Sequence, residues 1–315
     1  MIDPLQSVGV VLPTRDLDDD FFEHCRQSQG WLGRTGAQSI VCRPRPDLPS
    51  TFGVGKNQIP VLACAGSIYE AWNRGVAEMT TPYIYFSAVG DLIEDSDLLA
   101  LVDTARRWDA QVVVACPRHV GDPQSSRRAV SRHWPHQQAM RFIRLREARL
   151  LSATEKRLLP LLFFEGAMLG SSASNLYQTS CLRTRPFPRE YGNEGDVAWF
   201  FLHGAGVKVV FEPQNRGSYR HHGPGQTPGP RRLKNARFLR LWRHCQPDPE
   251  EAGLWGSLFR RQSAAYAAQV NLERNRKRTG PGPRVRSWGY RILRQWHRGK
   301  ALALGRRLLG QSPRP

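Results

Sequence analysis

No run of 18 consecutive apolar residues occurs anywhere in these 315 residues. The densest patches, YIYFSAV (83–89) and LLPLLFF (158–164), have the length of a strand or a short helix, which argues against a membrane-spanning helix. The first residues, MIDPLQSVGVVLP, lack a basic segment followed by a long apolar one, so no secretory signal is expected. Cysteine is sparse: the six residues Cys25, Cys42, Cys64, Cys116, Cys181 and Cys245 form no CxxC pair. That pattern argues against a zinc ribbon or a dithiol redox motif and suits reduced thiols in a cytosol. Internal repeats are missing too. Acid is nearly absent from one region: residues 231–315 hold four Asp or Glu against 21 Lys or Arg, whereas residues 1–230 hold 23 against 25. Almost all of the net charge of +19 therefore sits in the last quarter of the chain, behind a near-neutral front.

What is present suits a globular protein. An apolar share of 40% with nine tryptophans is ample for a core, and the length fits one large domain with an appendage. SVGVVLP (7–13) reads as a buried strand ending at a turn. Asp18–Asp20 opens an amphipathic helix through Phe21, Phe22 and Cys25, with acids where the helix dipole favours them. QSIVC (38–42) is a second strand, and RPRPDLPS after it a loop. Ser67 caps a helix carrying Ile68, Ala71, Trp72, Val76 and Met79 at helical spacing, with Trp72 expected in the core. Residues 83–89 are a third strand, 96–108 a helix, 110–116 a strand, and 137–164 helical with a break at Pro160. SSASN (171–175) reads as a polar loop, DVAWFFLHGAG as a helix stopped by glycine, and 207–213 as a strand. Strands alternating with helices predict βαβ units and a mostly parallel sheet. GPGQTPGP (223–230) closes this region, giving an expected domain at 1–228 and a basic, partly amphipathic helical extension at 229–315.

In an open α/β sheet, ligands gather beyond the carboxyl ends of the strands. Three polar clusters fall at such places: Pro13-Thr14-Arg15-Asp16, Gly90-Asp91, and Glu194-Gly195-Asp196. A carboxylate at a strand end suits a divalent metal chelated by a diphosphate, since Mg²⁺ and Mn²⁺ take oxygen ligands and often only one or two from protein. A second carboxylate could take a proton from an attacking hydroxyl. Taken singly, Asp91 serves equally as a cap for the helix at 96–108, and Glu194 or Asp196 as acids favoring a helix N-terminus. His133 and His136 in RHWPH lack a third metal ligand and read as a surface turn.

The order of these clusters along the chain resembles that of the family 2 glycosyltransferases. SVGVVLPTRD resembles the family's opening strand, commonly S-V-V-I-P-T-Y-N. GSIYEAWNRGVAEMTTPYIYFSAVGDLI (66–93) resembles G-I-Y-D-A-M-N-K-G-I-A-x-A-x-G-x-Y-I-L-F-L-N-S-G-D-x-L, with Tyr69, Ala71, Asn73, Gly75, Tyr83, Ile84, Phe86, Gly90 and Asp91 matching in place. PFPREYGNEGDVAWFFLHGAGVKVVFEP (186–213) is similar to a later family block, and GSYRHHG (217–223) falls where a Y-R-x-H-like segment often stands.

The resemblance covers roughly residues 7–225. It implies an α/β fold of GT-A type, Rossmann-like, with a nucleotide-diphospho-sugar donor. Carried over by position, Pro13 and Thr14 would border the base, and Asp47 is the acid available to hold the base or ribose. Asn73, Arg74 and Gly90 would lie near the donor, and Asp91 at a Mn²⁺ or Mg²⁺ on the diphosphate. Asp196, with Glu194 as its rival, would be the general base. The sequence departs from the family at Ala88-Val89-Gly90-Asp91, where many relatives carry D-x-D, so one carboxylate remains. Either His221 or His222 assists the metal, or metal binding is weak or absent.

The expected activity is transfer of sugar to a saccharide or lipid-linked acceptor, as in polysaccharide biosynthesis of a cell envelope. The alternative is a catalytically weak GT-A-like binding module. RRLKNARFLRLWR (231–243) and WGYRILRQWHRGKALALGRRLLG (288–310) read as basic amphipathic helices, which suit either an anionic membrane at the cytoplasmic face or packing on the enzyme. Nucleic acid is the disfavored partner, because no recognition motif accompanies the charge.

Overall fold

The computed structural model describes residues 3–120, 135–163, 172–220, 253–276 and 281–311. It divides into two units: Met1–Lys156 with Phe163–Pro224, and Arg157–Leu162 with Gly225–Pro315.

The first unit is built on a nine-stranded sheet of order β3-β4-β2-β1-β5-β8-β6-β9-β7. The strands are β1 (Val8–Pro13), β2 (Ala37–Cys42), β3 (Thr51–Val54), β4 (Asn57–Ala63), β5 (Tyr83–Phe86), β6 (Val112–Val120), β7 (Arg149–Leu150), β8 (Asn175–Gln178) and β9 (Val209–Arg220). Parallel pairing joins β4 to β2, β2 to β1, β1 to β5, and β6 to β9. Strands β3, β8 and β7 run the other way. The mostly parallel α/β sheet expected from the βαβ rhythm is therefore present, with β8 reversed at its center.

Helices α1 (Asp19–Leu32), α2 (Ile68–Glu78) and α3 (Asp95–Trp108) follow β1, β4 and β5. The Ser67 side chain accepts from the Glu70 N–H, so the expected cap forms, and Asp18, expected to open α1, caps it by accepting from the Phe21 N–H. Along β1 the side chains alternate. Val8, Val10 and Leu12 join Phe21, Cys25 and Trp31 of α1 and Leu98, Leu101 and Val102 of α3 in one buried layer. On the opposite face Trp72 of α2 stacks on Phe86 of β5 at 4.1 Å. Phe187 and Trp199 complete that second, aromatic layer, with ring centroids 5.8 Å apart. The period of two in β1 and β5 thus feeds two different helix layers.

Later helices are α4 (Pro135–Phe142), α5 (Ala153–Phe163), α6 (Thr179–Thr184) and α7 (Gly195–His203). The single helix expected over 137–164 is two helices separated by β7, and Pro160 stays inside α5 rather than breaking it. The stretch read as a polar loop at 171–175 leads into β8, whose Asn175 has no solvent exposure. Ser174, just before the strand, donates to the Ala115 carbonyl, and the Asn175 amide donates to Tyr177, while the Asn175 side-chain oxygen is buried without a hydrogen bond.

The second unit holds α8 (Leu254–Arg276) and α9 (Pro281–Leu308), which pack together, with Leu258, Gln262, Ala265, Ala268 and Ala301 buried. Arg157 lies 4.6 Å over the Trp255 ring in the same unit. Among the described residues no helix is long and apolar enough to cross a membrane.

Candidate active site

The carboxyl end of β5 delivers the first candidate carboxylate. Ser87 donates its backbone N–H to the Val11 carbonyl, and its hydroxyl meets His24 Nε2 of α1 at 2.8 Å in a buried pair. Burial pushes the His24 imidazole down to about 4, so the ring is neutral at physiological pH. Beyond Ser87 the chain turns through Gly90, whose φ of 90° lies in a region that disfavors any side chain. The Asp91 N–H then closes the turn onto the Ala88 carbonyl at 3.0 Å.

Asp91 is buried. Leu92 exchanges two backbone hydrogen bonds with Ser218 of β9, at 3.0 and 2.6 Å, so the loop is stitched to the far strand. This close approach needs Gly217, which has φ of 62°; a Cβ there would stand 2.0 Å from the Ala173 carbonyl oxygen. Burial and the nearby Asp91 charge hold two phenols above their ordinary value, Tyr219 of β9 and, much further, Tyr85 of β5. The Asp91 carboxylate is therefore near enough to Tyr85 and Tyr219 for its charge to act on both phenols.

The second carboxylate, Asp196, comes from the first turn of α7 and is also buried. Its Oδ1 accepts from the Val197 N–H at 2.8 Å. Tyr69 of α2 is hydrogen-bonded to it, and its phenol is held well above the ordinary value, first by burial and then by the Asp196 charge. Tyr69 thus remains a protonated donor across the working pH range. Gly195 permits this contact, since a Cβ there would lie 2.4 Å from the Tyr69 ring. Tyr177 of β8 feels the Asp196 charge as well, and burial lifts its phenol far above the usual range. This corner belongs to the α2/α7 side.

Asn73, expected beside the donor, spends both ends of its amide on the backbone of Phe187, donating at 2.8 Å and accepting at 2.9 Å. It locks α2 to the segment that leads into Asp196. Arg74 is half-exposed and paired with Glu78 at 3.4 Å. Pro13 ends β1, and Thr14 continues the ladder by donating its N–H to the Val41 carbonyl at 3.0 Å, while its hydroxyl closes on the Asp16 carbonyl. Asp47 is exposed and pairs with Arg45 at 3.2 Å. Glu194 ends a 3-10 turn immediately before α7. His221, His222 and His133 lie outside the described residues. His136, expected in a surface turn, is instead fully buried in α4 with its ring 6.2 Å from that of Phe211. Tyr69 stood in the family-like motif with no role attached, whereas the His24–Ser87 pair left no trace in the sequence pattern.

Among the described residues no three His, Cys, Asp or Glu side chains converge as a metal cage. Asp91 offers one carboxylate of the kind Mn²⁺ or Mg²⁺ takes, which fits an ion that a ligand's phosphates also hold.

No protein-family model matches the chain, and no curated protein matches its sequence. Among solved structures it is similar to TarS 1-349 of S. aureus in complex with UDP-GlcNAc, at 12% identity over 98% of this chain and 93% of that one, with a TM-score of 0.55. It is also similar to the glucosyl-3-phosphoglycerate synthase of Mycobacterium tuberculosis in complex with Mn²⁺, UDP-glucose and phosphoglyceric acid, at 13% identity over 78% and 82%, with a TM-score of 0.46. A third is the mannosyltransferase PcManGT of Pyrobaculum calidifontis in complex with GDP-Man and Mn²⁺, at 12% identity over 98% and 76%, again with a TM-score of 0.46. The likeness to TarS is one of fold, and that fold is the GT-A fold of nucleotide-sugar glycosyltransferases.

Proposed function

We propose that this protein is a glycosyltransferase of family 2 character, moving a sugar from a nucleotide-diphospho-sugar to a saccharide or lipid-linked acceptor. The observation that carries the proposal is a GT-A sheet bearing two buried carboxylates, Asp91 beyond β5 and Asp196 at the head of α7, each backed by tyrosines. TarS, which shares the fold, was crystallised with UDP-GlcNAc, so a uridine-diphosphate sugar is the first donor to try.

In this reading Asp91 faces the donor's diphosphate and Asp196 accepts the proton of the acceptor hydroxyl as it attacks the anomeric carbon. A divalent ion on the diphosphate, Mn²⁺ or Mg²⁺, would neutralise charge on the departing nucleotide. Tyr69 keeps Asp196 ionised by donating to it, because a hydrogen bond to the charged form favors that form. Pro13 and Thr14 border the base, with Asp47 and Arg74 at the rim. The enzyme would act at the cytoplasmic face of a membrane, in polysaccharide synthesis for a cell envelope.

Thermal unfolding with UDP-, GDP- and dTDP-sugars, with and without Mn²⁺, tests the donor, since a ligand of the native state raises its apparent stability. Release of nucleoside diphosphate then tests turnover. The single carboxylate in Ala88-Val89-Gly90-Asp91, and the lack of a metal cage among the described residues, favor one alternative, a GT-A domain that binds a nucleotide sugar without transferring it. Stabilisation by a nucleotide sugar with no nucleotide release over any acceptor series would select it. No stabilisation by any nucleotide sugar would remove both readings.

A further inference from the structure

Helix α9 carries eight Lys or Arg between Pro281 and Leu308 and no acid. The helix is also unusual in what it leaves in water. Ile292, Leu293 and Trp296 are 45%, 43% and 49% exposed, three large apolar side chains within about one and a half turns. Single exposed hydrophobics are ordinary on a protein surface, but a cluster beside cations calls for an account.

Their direction is fixed by the packing. Among the described side chains of α9, from residue 291 on, the buried positions are Ala301 and Gly305, which lie on one stripe. At about 100° per residue, Ile292 points about 180° and Trp296 about 140° away from Ala301. Gly299, Lys300, Ala303 and Arg307 are exposed along the same outward face. Arg261 of α8 reaches the Trp296 ring with its guanidinium 4.8 Å from the centroid, and the Lys300 ammonium lies 5.8 Å from it. The outward face thus presents an apolar cluster flanked by cations.

The geometry points to this face as a docking surface for an anionic lipid bilayer, lying flat with Ile292, Leu293 and Trp296 at the acyl boundary and Lys300, Arg307 and Arg261 among the headgroups. A lipid surface answers both halves of the face: acyl chains take the three apolar side chains, and acidic headgroups attract Lys300, Arg307 and Arg261. A nucleic-acid backbone would satisfy only the charge and leave Ile292 and Leu293 in water. This deepens the proposed membrane location by naming the surface, and it is independent of whether the first unit transfers sugar.

The test is co-sedimentation of the full-length protein with vesicles of phosphatidylcholine alone or with about a third phosphatidylserine. The expected result is strong binding to the anionic vesicles only, partly released at about 0.5 M salt. The triple variant Ile292→Ser, Leu293→Ser, Trp296→Ser should weaken it on the order of tenfold. Lys300→Glu with Arg307→Glu should weaken it while removing no apolar contact, and serves if the triple variant misfolds. Both variants should keep the wild-type nucleotide-sugar stabilisation, which separates failure of this surface from failure of the glycosyltransferase reading. Equal binding to neutral vesicles, no vesicle binding, or anionic binding unchanged in both variants would overturn the proposal. Tight binding to duplex RNA without binding to anionic vesicles would overturn it in favor of a nucleic-acid partner.

Discussion

Asp91 and Asp196 are both buried acids backed by tyrosines, yet the molecule holds them in opposite ways. Asp196 starts a helix and rests on the aromatic layer of Tyr69, Trp72, Phe86, Tyr177, Phe187 and Trp199, on the α2/α7 face of the sheet. Asp91 lies in a loop pinned at one end by Ser87 and at the other, through Leu92, by Ser218. A group fixed by a packed core suits a role in the transition state, where a small displacement is costly. A group on a loop clasped between two strands suits a ligand that enters and leaves with the donor. The same residue type thus serves different ends according to what lies behind it.

The largest expected effect comes from removing the proposed base. Asp196→Ala should lower kcat by about 10²- to 10⁴-fold while leaving donor KM nearly unchanged. If Glu194→Ala shows that loss and Asp196→Ala does not, the base is the neighbor and the contrast between the corners fails.

Asp91→Asn should do the reverse. Donor KM and metal dependence should change first, with donor affinity down on the order of a hundredfold, since a carboxylate–metal–phosphate contact supplies several kcal/mol. Steady-state kinetics across a Mn²⁺ series reads this directly. Wild-type affinity and metal dependence in the variant would take Asp91 out of the site.

A finer probe is Tyr69→Phe, which deletes one hydroxyl from the Asp196 corner. A hydrogen bond to a charged group contributes about 1.5–3 kcal/mol, so kcat at neutral pH should fall roughly tenfold. Because the lost donor favored the ionised carboxylate, the acid limb of the kcat profile should move to higher pH. A fall in kcat with an unmoved acid limb would mean that Tyr69 only packs.

The smallest effect at neutral pH belongs to His24, behind the Asp91 loop. Its imidazole is held down to about 4, against an ordinary value near 6.5, so between those pH values the unfolded chain binds a proton that the folded chain refuses. Stability should therefore be unaffected above about pH 6.5 and decline toward pH 4, by up to about 3 kcal/mol. His24→Gln should flatten that part of the stability–pH curve, as followed by urea unfolding. A curve of unchanged slope would show that other groups set the acid sensitivity.

Local chemistry alone was enough to announce much of this protein. The β-branched runs of β1 and β2, the Asp18 and Ser67 caps, and the helical spacing through Trp72 are short-range signals, and the alternation of strand and helix led to a mostly parallel α/β sheet. Both candidate carboxylates were visible as acids at element ends. The β3–β4 hairpin went unread because Gly53, Gly55 and Pro60 look like loop punctuation, and two strands become a hairpin only when β4 finds β2. Strand β8 went unread because Asn175 and Gln178 are polar, and the segment becomes a strand only by pairing with β5 and β6. Only the tertiary structure decided that Asn73 is spent on the Phe187 backbone, that Tyr69 holds Asp196, and that Gly217 lets β9 clasp the Asp91 loop. Each of these joins residues many positions apart, and no local period or propensity encodes the closeness of side chains that meet only when the sheet assembles.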